Sequence, residues 1–146
     1  MKLPQQVKKN LLKELEFIIA RMREEPDPVK KIYFYSAVNG SLERVTRFHF
    51  DKELLVAQAI MSLSYNVIND RVNRLKIGDT VVPFTESLME QLISSVSDLA
   101  KAIEDNKTVY PAVEKAMEVA YMATGPGFYT RSFLDYAKTE QANQEE

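Results

Sequence analysis

Residues 30–50 read KKIYFYSAVNGSLERVTRFHF, and the reading of this stretch decides the fold class. Its Ile, Tyr, Phe and Val content, with Asn39-Gly40 at the centre, is the strongest short-range hairpin signal a sequence offers. Two registers compete. A two-residue turn pairs Val38 with Ser41 and puts Ile32, Phe34 and Val45 beside Glu43 and Arg47. A three-residue loop with a bulge pairs Val38 with Leu42 and gathers Ile32, Phe34, Val38, Leu42 and Phe48 on one face. The second segregates apolar side chains more cleanly, and that segregation is what specifies strand register. A lone two-stranded hairpin is marginal in water, so this one must lean on helices or pair with another copy of itself.

Upstream, Pro26-Asp27-Pro28 stops whatever precedes it, because prolines so spaced cannot continue a helix. Val7, Leu11, Leu15, Ile18 and Met22 recur at steps of three and four, which predicts an amphipathic helix beginning near Pro4 and ending before Pro26. Downstream, Asp51 is placed to cap a long helix over about 52–76, with Phe50 stapled onto Leu55 and Gly78 as the stop. Thr85 is placed to cap another, with Phe84 packing on Met89 and a broad stripe running through Leu88, Leu92, Val96, Leu99 and Ile103. A fourth helix starts at Thr108 with Pro111 in its first turn, and a short one follows Thr130. The expectation is an α+β fold, predominantly helical: an N-terminal helix, a β-hairpin over about 31–50, then three to four helices packed as a bundle. Residues 1–146 form a single domain, with 139–146 a frayed tail.

The chain has 146 residues, 19 basic and 21 acidic, and a formal net charge of −2. Such a balance creates no global field to collect polyanions or to hold the chain on an anionic membrane. It has no cysteine, so disulfides, thiol nucleophiles and cysteine metal sites are excluded. The cytoplasm is the expected compartment, since neither a signal-peptide core nor a run of 18 apolar residues is visible. His49 is the single histidine, which removes metal sites that need two imidazoles. No metal, cofactor or catalytic set is expected.

Three groups of residues are candidate sites. The first is ATGPGFYTRSF at 123–133, where glycines, the start of a helix at Thr130 and the fork of Arg131 beside Tyr129 could hold a small anion. It matches no phosphate-loop pattern, and Gly125, Pro126 and Thr130 are equally the stop, break and cap between two helices. The second is Asn66, Asn69, Asp70 and Asn73, which share one face of the long helix. With Asp70 as acid or ligand and Arg71 or Arg74 beside it, Asn66 and Asp70 could line a cleft opposite Arg131; a solvated helix face, or a buried polar pair fixing a helix–helix register, is the plainer explanation. The third is the hairpin's Lys30, Lys31, Arg44 and Arg47 with Tyr33 and Tyr35, a basic and aromatic mixture of the kind that tracks nucleic-acid backbones. Too few cations stand on a slightly acidic chain for nucleic acid to be favoured.

The sequence therefore points first to a non-enzymatic interaction or structural protein, working through self-association as a homodimer and through a macromolecular partner. A small-anion or nucleotide binder using 125–131 is the alternative, and a nucleic-acid binder using the hairpin is the third. A membrane is not expected among its partners.

Overall fold

The computed structural model describes residues 3–76 and 84–123, apart from the side chains of 74–76. These residues form five helices: α1 Gln5–Glu24, α2 Pro28–Thr46, α3 Lys52–Lys76, α4 Glu86–Glu104 and α5 Tyr110–Ala123. There is no strand among them. The expected α+β class and the β-hairpin over 31–50 are thus overturned, and the molecule is a helical bundle. Gly78, the short helix after Thr130 and the tail at 139–146 lie outside the described residues.

The hairpin failed because α2 satisfies a second periodicity. Its buried residues are Ile32, Tyr35, Val38, Ser41, Leu42 and Val45, spaced at threes and fours as on one face of a helix. Pro26-Asp27-Pro28 is a start as well as a stop. The Asp27 carboxylate accepts a hydrogen bond from the Val29 amide at 3.0 Å, and Pro28 sits in the first turn, where its missing donor costs nothing. Gly40, in mid-helix, opposes this by about 1 kcal/mol relative to alanine. Burying one large apolar side chain returns about 1.5–3 kcal/mol, and α2 buries five. Packing outweighs the turn signal.

The other boundaries agree with the sequence. Asp51 accepts from the Leu54 amide at 3.0 Å and Thr85 from the Leu88 amide at 3.2 Å, capping α3 and α4. Phe50 and Leu55, expected to staple across the Asp51 cap, are both exposed. α4 ends in a Schellman arrangement: Asn106 takes φ 56°, its amide reaches the Ile103 carbonyl, and the Lys107 amide reaches that of Ala102. Asparagine tolerates this left-handed position better than most residues.

The helices close into a ring, each packed on two others in the order α1, α2, α3, α5, α4 and back to α1. Neighbours run antiparallel except α3 and α5. That pair starts at the same end of the bundle, where Glu53 of α3 accepts hydrogen bonds from the Thr108 hydroxyl at 2.6 Å and the Val109 amide at 2.9 Å. At this end too, the Lys8 ammonium donates to the Glu104 carbonyl at 2.9 Å and to Asn106 Oδ1 at 3.1 Å, tying α1 to the C-terminus of α4. Inside the ring, Leu11, Leu15, Met22, Ile32, Leu42, Leu54, Ile68, Leu92 and Leu99 are almost fully buried. α5 contributes mainly alanines to this core, Ala112, Ala116, Ala120 and Ala123, whose short side chains let its backbone lie close to its neighbours.

Candidate functional site

Replacing the hairpin by a helix divides the basic and aromatic group. Tyr35 turns inward and is 1% exposed. Its hydroxyl lies 2.5 Å from Ser64 Oγ and 3.2 Å from the Met61 sulfur, while the Ser64 hydroxyl donates back to the Met61 carbonyl at 3.1 Å. Burial holds the phenol well above the ordinary tyrosine range, and the Ser64 hydrogen bond only partly offsets this. Tyr35 is a core residue joining α2 to α3. The Lys31 ammonium donates to the Met22 carbonyl, one of the carbonyls that α1 leaves without an intrahelical donor at its C-terminus. It closes a helix end.

Lys30, Tyr33, Arg44 and Arg47 remain on the surface. With Ala37 and Gly40 they form one outward stripe of α2, at spacings of three and four. Arg44 is paired with Glu14 of α1 at 2.7 Å and Arg47 with Glu43 at 2.7 Å. Between α1 and α2 runs a groove. One part, with a volume of 370 Å³, is lined by Lys13, Phe17 and Ile18 on α1 and by Ala37, Gly40 and Arg44 on α2. A second, of 250 Å³, is lined by Val7, Leu11, Val45, Phe48 and His49, among others. The two share Glu14, Ser41 and Arg44, so they are halves of one trough with an ion pair at its middle.

The rims of this trough are aromatic. Phe17 is 63% exposed, Phe48 78% and the neighbouring Phe50 83%. The Arg21 guanidinium lies 5.8 Å from the Phe17 ring centre and 5.3 Å from that of Phe34, which holds both rings by cation–π attraction. Phe48, expected on the apolar face of the hairpin, stands in solvent instead, and Phe17 is not among the expected site residues. A signal for Phe17 was present: it is a large aromatic outside the apolar stripe of α1, where a solvent face needs none.

Asn66 and Asp70 lie exposed on α3, while Arg71 turns inward and is 2% exposed. Asn73 donates from Nδ2 to the Asn69 carbonyl at 2.9 Å and to Asn69 Oδ1 at 3.1 Å. The amide stripe is the lower half of a solvent face whose upper half carries Leu55, Ala59 and Leu63, also exposed. Tyr129, Thr130 and Arg131 lie outside the described residues, so the proposed meeting of Arg131 with Asn66 and Asp70 does too. Among the described residues no group of three or more His, Asp or Glu side chains is placed to hold a metal ion. No helix among them is long and apolar enough to cross a membrane.

No protein-family model, curated protein or solved structure matches the chain, and its function is argued from its own surface.

Proposed function

We propose that this chain is a non-enzymatic interaction protein of the cytoplasm that self-associates and presents a surface to a protein partner. One observation carries the reading: Phe17, Tyr33, Phe48, Phe50, Leu55 and Leu63 are large apolar side chains standing in solvent, gathered on the α1–α2 face, the α2–α3 corner and the outer face of α3. Single exposed apolar residues are ordinary, whereas neighbouring ones along adjoining helices mark surfaces that a partner covers. The outer stripe of α3, apolar at Leu55, Ala59 and Leu63 and amide-rich beyond, suits a second copy. Amides there offer hydrogen bonds in a rim around an apolar centre. A cytoplasmic site fits a chain that spends no cysteine on disulfides.

Light scattering at high micromolar concentration tests the self-association. The expected particle is a multiple of the 16.7 kDa chain, and Leu63→Glu returns it to a single chain with its helical circular dichroism intact. A wild-type mass that stays at one chain throughout would falsify the self-association.

A further inference from the structure

We propose that the trough between α1 and α2 receives an acidic amphipathic helix from a partner protein. This names the partner class for the interaction-protein reading and rests on it. The trough is open on either side of the Arg44–Glu14 pair that crosses its middle. A Cβ added at Gly40 would meet Arg44 Nη1 at 3.9 Å, an ordinary contact, and Ala37 beside it is exposed, so the side chain that lies over Gly40 is the long, exposed Arg44, which an occupant can displace. From Val7 to Phe17 the α1 wall is about 15 Å long, some three turns of helix. Phe17 and Phe48 stand near its two ends. A helix laid here would set its apolar stripe over Ala37 and Gly40 and between the rings, the usual mode by which a groove holds an amphipathic segment.

Charge selects among occupants. Along α2 the stripe has Lys30 at one end and Arg44 and Arg47 toward the other, and Lys13 faces it from α1. Lys13 and Lys30 have no carboxylate within ion-pair distance among the described residues. The pairs of Arg44 with Glu14 and Arg47 with Glu43 are solvent-exposed; such pairs are worth less than about 1 kcal/mol and can be exchanged for a partner's carboxylates. A second copy on this face is disfavoured. A two-fold axis through the midpoint of Ala37 and Gly40 would set Lys30 against Arg47 of the other chain, and like charges brought together across an interface are repulsive. Nucleic acid is disfavoured as well, because the apolar floor offers a phosphate backbone nothing. An acidic helix meets the cations and fills the floor.

The experiment is a display selection of amphipathic helical peptides, about five turns long, against the full chain. The expected winners carry net negative charge. Their binding falls at least about tenfold, or 1.4 kcal/mol, in Ala37→Trp, which fills the trough from an exposed position and leaves the circular dichroism unchanged. It also weakens in Lys13→Glu and Lys30→Glu, and with added salt. Winners that are basic or uncharged, or whose binding ignores Ala37→Trp, overturn the proposal. So does an oligonucleotide that displaces them from the trough, which would reassign it to nucleic acid. If no peptide is selected while Leu63→Glu still splits a multimer, the acidic-helix proposal fails and the interaction-protein reading stands. If acidic peptides bind a chain that is always single, self-association fails and the trough stands.

Discussion

Gly40 is the residue at which the competing conformations of residues 30–50 differ most. In a hairpin, an Asn-Gly turn needs glycine for its positive φ, and alanine there is costly. In the helix, glycine forfeits propensity, and a Cβ at its position meets only Arg44 Nη1, at an unstrained 3.9 Å. Gly40→Ala is therefore expected to stabilise the protein by about 0.5–1 kcal/mol, seen as a higher urea midpoint. A lower midpoint would bring back the turn. Tyr35 makes a complementary case, because its ring and its hydroxyl are used separately. Tyr35→Phe keeps the ring and leaves Ser64 without its phenol, at about 1 kcal/mol. Tyr35→Ala empties a core site between α2 and α3, at about 3–5 kcal/mol. Near-equal losses in the two variants would show that the ring is not packed as described.

At the scale of elements, polar side chains at helix ends set how helices are aligned once apolar stripes have brought them together. Glu53 is the clearest instance, since it belongs to α3 and holds the start of α5. The hydrogen bonds from Thr108 and the Val109 amide lower its pKa, as expected for a carboxylate at a helix N-terminus. A lowered folded pKa means stability that is fully present above the unfolded value of about 4.3 and lost as pH falls through the folded value beneath it. Glu53→Gln keeps an acceptor but loses the charge. It is expected to cost about 1 kcal/mol at neutral pH, with the gap to wild type closing in acid. Urea unfolding of both proteins from pH 7 downward measures this, and a gap that does not change with pH would exclude a charged cap. Lys31 at the Met22 carbonyl and Lys8 at the Glu104 carbonyl act in the same way on C-termini. None of the three was legible beforehand, because each contact joins residues of different helices.

At the scale of the molecule, the ring arrangement leaves every helix with an outer face, and what those faces carry separates a self-contained bundle from one that seeks partners. Here the α1–α2 side and the outer face of α3 carry exposed aromatic or leucine side chains, and α5 carries Tyr110 and Tyr121. If the α3 face joins copies, mass action stabilises the fold as concentration rises. The thermal midpoint is then expected to climb across a dilution series, and to lose that dependence in Leu63→Glu. A midpoint independent of concentration would argue against the association from a second direction.

Local chemistry was enough for much of this bundle. Proline punctuation bounded α1, Asp51 and Thr85 announced the starts of α3 and α4, and Pro111 marked the first turn of α5, because caps and breakers act within a few residues of themselves. That Asn66, Asp70 and Asn73 share a face followed from their spacing, whereas its exposure to solvent did not, since a buried polar pair at a helix contact has the same spacing. Residues 30–50 were different. Their apolar side chains fit a strand period and a helix period at once, and Asn39-Gly40 tipped the local balance toward a turn. Only docking between α1 and α3, which buries Ile32, Tyr35, Val38, Leu42 and Val45 together, settled it as a helix. The same step decided the candidate site: it sent Tyr35 into the core and Lys31 to a helix end, and brought Phe17 of α1 to the edge of a trough floored by α2. Burial is a property of the assembled ring, so a choice that depends on it lies beyond any local stretch of sequence.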